Sequence, residues 1–337
     1  MRNDGANAVE PRRIPLFSWR KLPDELGVGA ALVILIATVG VINPIFLNQA
    51  SLVQLVTNSV FFGLLALATV FLLSLGEIDL SIGWNFNLSA VATAELMLFG
   101  IDPWLAAAGG VLFGTLLGLF NGVLTVALKL PAIIVTLGTL SMFQGLSLVI
   151  TQSRAIIPPD VTGSYFTFIR TRLFDVLPMA AIILVVAAIA FHLLLTRFRF
   201  GYRVQAIGAN TEAARLAGIP VHHVRVAALA LMGGTCGLAG AMFIGVRGAI
   251  DPTTGGEFLL SAIAAAIIGG TAVSGGFGTV IGAAIGVLII STIRSGVIFL
   301  GIDARWSTFV TGAVIILAVV IDQLLRWQRA KQLALQP

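Results

Sequence analysis

Long runs of apolar residues, separated by short polar segments, dominate the chain from residue 27 to residue 325. Most of these runs reach the roughly 20 residues that a helix needs to cross a 30 Å hydrocarbon core. The pattern therefore predicts an all-α polytopic membrane protein with about ten transmembrane helices. The predicted spans are residues 27–47, 52–75, 83–100, 104–128, 132–151, 176–195, 226–246, 258–273, 279–300 and 306–325.

Composition agrees with this architecture. Of the 337 residues, 58% are hydrophobic and only 10% are charged, whereas a soluble domain carries about 25% charged residues. A soluble enzyme is therefore excluded. The formal charge of +5 does not indicate a nucleic-acid-binding protein, because the basic residues lie between apolar runs, where they orient helices. The single cysteine, Cys236, excludes an intrachain disulfide.

Lysine and arginine are distributed unevenly between the two predicted sides of the membrane. With the N-terminus in the cytoplasm, fourteen of the twenty lie in inside segments, five lie outside, and Arg294 lies within a span. The positive-inside rule then places both termini in the cytoplasm. The predicted organisation is a cytoplasmic segment 1–26 without signal-peptide features, one transmembrane domain 27–326 with a cytoplasmic loop at 196–225, and a cytoplasmic tail 327–337.

Two stretches of the chain resemble each other. Residues 114–124 (GTLLGLFNGVL) and 278–288 (GTVIGAAIGVL) share six of eleven positions, and the segments upstream, 88–94 and 260–266, are also similar. Spans three and four thus match spans eight and nine, which run in the opposite direction. This predicts an inverted repeat of five plus five spans, as in many transporters. Recurring glycine motifs for close helix packing are the alternative explanation.

The third and eighth spans are the shortest, and they occupy corresponding places in the two halves. Such a pair is the best sequence indication of a translocation site. Before the third span, residues 76–83 (GEIDLSIG) place Glu77 and Asp79 between two glycines. Carboxylates at this depth are costly unless they are solvated, capped or paired. Asp79 can cap the following helix.

Polar residues inside the spans supply neutral donors and acceptors that suit an uncharged, hydroxylated solute. Hydrogen bonding between helices is the alternative role for each of them. Arg294 is expected either to extend to the membrane surface or to face Asp303. The candidate pathway residues are Asn58, Asp79, Asn85, Asn87, Asn121 and Gln144.

The chain shows no motif for ATP hydrolysis or metal binding. No Gly-x-x-x-x-Gly-Lys-Ser/Thr sequence is present, so ATP is not expected to be hydrolysed by this chain. His222 and His223 are adjacent and cannot act as i,i+4 ligands on one helix face. We therefore expect no cofactor in this chain.

The cytoplasmic loop contains a predicted short helix. Asn210 or Thr211 can cap its start, and Gly218 with Pro220 ends it. Read alone, this helix is a surface connector against lipid headgroups. The helix and its ends contain Asn210, Glu212, Ala213, Ala214, Arg215 and Gly218.

Four ordered motifs resemble those of the ribose-type (monosaccharide) family of ATP-binding cassette importer permeases. They are residues 76–83, residues 131–139 (PAIIVTLGT), Glu212-Ala213-Ala214 followed by Gly218, and residues 268–279 (IGGTAVSGGFGT). The similarity extends from about residue 52 to residue 326. The chain departs from the family at Glu77, where a second glycine is usual, and at residues 84–87. Both departures lie where solute choice can be set, which weakens any assignment to ribose itself.

The resemblance implies a permease subunit of an importer for a monosaccharide or polyol in the bacterial inner membrane. A second permease subunit, identical or different, would complete the pathway. Separate cassette ATPase subunits, which bind ATP and Mg²⁺, would dock on the helix at residues 210–218. A periplasmic binding protein would deliver the solute.

Two other classes of protein remain possible at this stage. One is an ion-coupled secondary transporter for a neutral polar solute, in which Glu95 and Asp79 would serve as ion-coupling carboxylates. The docking motif argues against it. The other is a membrane scaffold or receptor, against which the paired short spans and the intramembrane amides argue.

Overall fold

The computed structural model describes residues 24–303 together with residues 305–306, 309–310, 312–313, 316–317 and 320. This part of the chain is almost entirely helical. Strands β1 (Arg172–Leu173) and β2 (Leu177–Pro178) form one short antiparallel hairpin. The helices are α1 Asp24–Ile42, α2 Gln49–Leu75, α3 Ile82–Leu98, α4 Pro103–Leu128, α5 Ala132–Thr151, α6 Ser164–Arg170, α7 Met179–Thr196, α8 Arg199–Ala209, α9 Thr211–Leu216, α10 Val221–Arg247, α11 Gly255–Ile268 and α12 Val280–Phe299.

Each of the first nine predicted spans corresponds to one helix. Seven of these helices are long and apolar enough to cross a membrane: α1, α2, α4, α5, α7, α10 and α12. The third and eighth spans are the shorter helices α3, with 17 residues, and α11, with 14 residues. At 1.5 Å per residue, α11 extends only about 21 Å. The tenth predicted span, 306–325, lies mostly outside the described residues, as do the segments 1–23 and 327–337.

The helix ends follow local sequence signals. Asp102 caps α4, accepting a hydrogen bond from the backbone N–H of Trp104 at 2.9 Å, and Pro103 occupies the first position of the helix. Asn43 caps a short 3₁₀ turn, Pro44–Leu47, which ends the first apolar run after α1. Gly76 has φ +79° and ends α2.

The core lies around α2 and α10. Both are largely buried, and α10 packs against α3 and α4 while α2 packs against α11 and α12. By contrast, α1 and α7 are mostly exposed, with apolar side chains outward, as a membrane environment requires. Cys236 is fully buried on α10, where its thiol lies 3.4 Å from the carbonyl of Ile82.

Glycines let α4 and α10 approach to backbone contact. A Cβ atom on Gly118 would clash with the carbonyl oxygen of Leu229 and would lie 2.8 Å from the Cα of Gly233. This packing requires residues without side chains on both helices. The α4 glycines that face α10 are Gly114, Gly118 and Gly122.

We expect Gly118→Ala to lower the thermal stability of the detergent-solubilised protein, by about 2–3 kcal/mol in the free energy of unfolding. The added methyl group forces apart two helices that have no flexible side chain to move. The matched control is Gly29→Ala in α1, where a Cβ would meet nothing within 4 Å and helix propensity favours alanine. Equal melting temperatures for the two variants would contradict this account.

Two short helices begin next to each other. The N-terminal turns of α3 and α11 meet where Gly83 and Gly255 are so close that a Cβ on either would clash with the other's carbonyl oxygen. Residues 76–81 precede α3 and the glycine-rich stretch 269–279 follows α11, both without helical structure over most of their length. Non-helical backbone at this depth is tolerated where protein buries it or where it lines a cavity.

Candidate translocation pathway and coupling surface

The loop of residues 76–83, which we call the signature loop, is held by hydrogen bonds to α4 and α5. Asp79 is buried and accepts from both the backbone N–H of Ser81, at 2.7 Å, and its hydroxyl, at 2.6 Å. Asn121 on α4 donates to the same hydroxyl at 2.8 Å. The backbone N–H of Leu80 donates to Thr136 Oγ1 on α5 at 3.0 Å. Asp79 therefore shapes the turn before α3 rather than capping the first amides of that helix.

Glu77 has a different set of partners. One carboxylate oxygen lies 2.9 Å from Nε of Arg225 on α10. The other accepts the backbone N–H of Ala132, the first residue of α5, at 3.1 Å. The carboxylate thus joins the end of α2 to the beginnings of two other helices.

The amides predicted for the pathway on α3 bridge neighbouring elements. Asn85 donates to the carbonyl of Gly114 on α4 at 3.3 Å. Asn87 donates to the carbonyl of Asp251 at 2.8 Å and accepts from Ser147 on α5 at 2.6 Å. Both asparagines are buried. These contacts are those expected of interhelical hydrogen bonding.

The remaining three candidates differ in their surroundings. Asn121 is buried, and its Oδ1 has no hydrogen-bond partner among the described residues. Gln144 is half-buried on α5. Asn58 on α2 lines a cavity of about 670 Å³ and is the one predicted pathway residue in that lining.

This cavity lies between α2, α10, α11 and α12 and has an aromatic wall. We call it the outer cavity, because the distribution of lysine and arginine predicts that it faces the periplasm. Phe61 and Phe243 meet there edge to face, with ring centroids 4.9 Å apart, and Phe258 packs on both. The first turn of α11 opens onto the cavity through Thr254 and Glu257. The other lining residues are Leu55, Asn58, Phe62, Arg247, Ser291, Arg294, Ser295, Ile298 and Arg305.

Polar groups in the outer cavity have unused hydrogen-bonding capacity. Arg247 donates to Asn58 Oδ1 at 2.7 Å. Arg294 approaches Glu257 only to 3.5 Å. Asp303, one of the two alternatives that the sequence offered for Arg294, pairs instead with Arg305. The hydroxyl of Ser291 is buried and has no partner among the described residues. A solute rich in hydroxyl groups fits such a wall, since it both donates and accepts.

The predicted short helix in the cytoplasmic loop is α9. Asn210 caps it, accepting from the backbone N–H of Ala213 at 2.9 Å, and Gly218 follows it with φ +79°. Ala214 is buried against the protein, whereas Glu212 and Arg215 are exposed and paired at 2.6 Å. The guanidinium of Arg215 lowers the pKa of Glu212 and the carboxylate raises the pKa of Arg215. This exposed pair stays charged at neutral pH.

Sequence reasoning missed one residue of this surface. Leu216, the last residue of α9, is 79% exposed. A single exposed apolar side chain is ordinary on a protein surface. Leu216 joins the candidate coupling surface by its position next to the exposed Glu212–Arg215 pair. In the sequence, Leu216 could have been noticed as the one large apolar residue of the segment 211–218.

The loop also contains a helix that was not predicted. α8 precedes α9 and buries Gly201, Val204 and Ile207. At its end, a Cβ on Gly208 would clash with the carbonyl of Ser74 at the end of α2, and Gly276 of the glycine-rich stretch donates to that same carbonyl at 2.8 Å. The loop at residues 196–225, the end of α2 and the glycine-rich stretch therefore form one junction.

The junction and the outer cavity lie at opposite ends of the long helices. On α10, Arg225 is near the start and Arg247 at the end, about 33 Å apart at 1.5 Å per residue. On α2, the cavity residue Asn58 is near the start and Ser74 is near the end. The cavity and the junction therefore lie near opposite ends of the helix bundle.

Comparison with known proteins decides the family. Residues 51–319 match the family model described as "Branched-chain amino acid transport system / permease component". The chain is 37% identical over 299 residues to the ribose import permease protein of Bacillus subtilis (strain 168), covering 89% of this chain and 92% of that protein. It belongs to the ribose-type family of ATP-binding cassette importer permeases.

Other relatives extend the same pattern. The D-allose transport system permease protein of Escherichia coli (strain K12) is 36% identical over 324 residues, covering 95% of this chain and 96% of that protein. The L-arabinose ABC transporter permease protein of Azospirillum brasilense is 31% identical over 327 residues, covering 96% and 94%. No solved structure matches the chain.

Membership of the family settles the general role of the chain. It is a transport subunit of an importer rather than an enzyme, and ATP hydrolysis belongs to a separate chain. Within the part that the structure describes, no group of three or more His, Cys, Asp or Glu residues could hold a metal ion. The permease is a multi-pass membrane protein.

Proposed function

We propose that this permease passes a monosaccharide or related polyol across the bacterial inner membrane, and that the outer cavity receives the solute from a periplasmic binding protein. The observation that carries the proposal is the lining of this cavity. Aromatic rings supply apolar faces for a sugar ring, while Asn58, Ser291 and the two arginines Arg247 and Arg294 supply donors and acceptors. The permease names of the relatives, which mention ribose, D-allose and L-arabinose, support the same class.

The proposed topology has ten spans with both termini in the cytoplasm. The distribution of lysine and arginine supports it, and it places α9 inside and the outer cavity toward the periplasm. ATP and Mg²⁺ then bind on cassette ATPase subunits that dock on α9. A second permease subunit, a copy or a homologue, completes the assembly.

We also propose that the two halves are related by an inverted repeat. The packing of α10 on α3 and α4 corresponds to that of α2 on α11 and α12. The N-termini of α3 and α11 meet, as a two-fold axis in the membrane plane requires. The glycine ladders differ, because Gly118 faces α10 whereas Gly286 faces Ala265 on α11. The proposed symmetry therefore concerns the order of the helices and not each contact.

The role is tested by gentle purification of the tagged permease from its native membrane. We expect a cassette ATPase to co-purify in stoichiometric amount, and uptake in cells to continue when a protonophore collapses the proton gradient while ATP is maintained. Loss of uptake under the protonophore, with no co-purifying ATPase even after crosslinking, would contradict the proposal. That result would favour an ion-coupled transporter using carboxylates such as Glu95.

The solute class is tested with the binding protein that co-purifies. We expect it to shift its melting temperature with one or more neutral monosaccharides or polyols from a panel, and not with branched-chain amino acids. A shift with leucine or valine alone would overturn the sugar assignment while leaving the importer assignment intact.

A further inference from the structure

The Glu77–Arg225 ion pair joins parts of the permease that the proposed function requires to move together. Glu77 belongs to the signature loop, and its side chain is 9% exposed. Arg225 belongs to the first turns of α10, and its side chain is 30% exposed. The distance from the carboxylate oxygen to Nε is 2.9 Å. The carboxylate is thus buried, while the arginine side chain is partly exposed.

Arg225 is closely tied to the coupling helix α9. The connection between α9 and α10 is short and internally bonded. The backbone N–H of Ile219 donates to the carbonyl of Ala214 on α9 at 3.0 Å, and that of Val224 donates to Pro220 at 3.1 Å. A displacement of α9 is therefore expected to move the start of α10 with it.

Glu77 is equally tied to α5. Its second carboxylate oxygen accepts the first amide of α5, at Ala132, where the positive end of the helix favours an anion. One turn further along, Thr136 bonds the signature loop through Leu80. A displacement of the Glu77 carboxylate is therefore expected to move the signature loop and α5 together.

We propose that Glu77 and Arg225 form a clasp that transmits movement of the coupling helix to the signature loop and α5, and so positions the inner part of the pathway. The inference rests on the proposed docking of an ATPase on α9. It also gives Glu77, which departs from the usual glycine of the family signature, a role in coupling instead of solute choice.

A purely structural role is the competing account. Removing one partner of a buried ion pair leaves an uncompensated charge, and pairs of this kind are weak evidence for stability. A structural role would change folding and assembly only. A clasp would change how much solute moves for each ATP hydrolysed, in protein that is folded and assembled.

The experiment uses the intact importer, purified through a tag on this permease and reconstituted in liposomes with its binding protein and solute. ATP hydrolysis and solute uptake are measured together. The key variant is Glu77→Gln, which keeps an acceptor for the Ala132 amide and removes the charge that faces Arg225. Arg225→Gln removes the other charge. The double variant Glu77→Arg with Arg225→Glu restores the pair in reverse. Arg199→Gln, an exposed charge on α8, is the matched control.

We expect Glu77→Gln and Arg225→Gln to lower uptake per ATP hydrolysed about tenfold, within the range of coupling effects between distant sites. The reversed pair should recover uptake per ATP to within about threefold of the wild type, and Arg199→Gln should leave it unchanged. If the reversed pair fails to assemble, Arg225→Lys, which retains the charge, must couple better than Arg225→Gln.

Two results would overturn the clasp. One is a coupling ratio within twofold of the wild type in both single variants. The other is no recovery in either charge-preserving variant. Failure of the proposed function itself looks different, because the wild-type permease would then bring down no ATPase and show no solute-stimulated hydrolysis.

Discussion

Replacing Ser295 with tryptophan is expected to abolish solute uptake, by at least about 100-fold, while the permease still assembles with its ATPase. Ser295 lies on α12, is half-buried, and lines the outer cavity. An indole ring placed there occupies the volume proposed for the solute. Since each 1.4 kcal/mol is a factor of ten in an equilibrium, a 100-fold loss corresponds to about 2.8 kcal/mol less favourable solute binding.

The matched control is Ile281→Trp, an exposed position near the opposite end of the same helix. We expect it to retain uptake, because a tryptophan there points away from the cavity and meets the surface. The measurement is initial uptake in cells at matched permease abundance, with basal ATP hydrolysis as a check on assembly. Equal uptake by both variants would mean that the solute does not pass through the outer cavity.

A milder substitution tests whether the outer cavity binds the solute, without obstructing the cavity. Asn58→Leu keeps the side-chain volume and removes the amide N–H groups that we propose bind the solute, together with the oxygen that accepts from Arg247 and Gln54. We expect the apparent KM for uptake to rise up to about tenfold with maximal uptake largely retained, since a lost hydrogen bond to a neutral solute is worth about 0.5–1.5 kcal/mol. An unchanged KM would remove Asn58 from the solute site.

The sequence predicted the seven long apolar helices well, because the bilayer imposes their length. An apolar run of 20 residues has one stable form in lipid, so α5 begins and ends at the residues predicted for span five. The short helices α6 and α8 escaped prediction because they lie outside such runs. The only indication of α8 in the sequence is the three-residue spacing of the positions that it buries, Gly201, Val204 and Ile207.

The site was harder to predict, because a helix position does not reveal which way a side chain faces. One residue of shift rotates a side chain by about 100°. Asn87 was a pathway candidate on its polarity, yet it bonds Ser147 and the carbonyl of Asp251. Arg247 and Glu257 drew no attention in the sequence, because charges near the ends of spans are common. Only packing brings them together with Asn58 around one cavity.

The glycine motifs were predicted less completely than the spans but better than the site. The α4 ladder at Gly114 and Gly118 was recognised as a packing motif, and it does pack against α10. Its partner helix could not be inferred, because α10 (Gly233 and Gly237) and α12 (Gly282 and Gly286) both carry glycines four residues apart. The short helix α9 was predicted correctly, since its cap at Asn210 and its end at Gly218 depend on neighbouring residues alone.

The second large effect is expected at this helix. Leu216→Asp should remove the co-purifying ATPase and reduce ATP-driven uptake about 100-fold. The leucine is exposed in the permease alone, so the substitution costs the fold little. In a docked assembly an apolar anchor becomes buried, and a charge there is left desolvated, a loss of about 2–4 kcal/mol at an interface hot spot.

Tyr202→Asp on α8 is the matched control, because it also places a carboxylate at an exposed position in the same loop. We expect it to keep the ATPase. Glu212→Arg should act like Leu216→Asp, since it sets two arginines side by side on the docking face and removes the carboxylate that pairs with Arg215. If both α9 variants kept the ATPase and normal uptake, α9 would be a connector against lipid headgroups, and the motor would have to engage another part of the cytoplasmic surface.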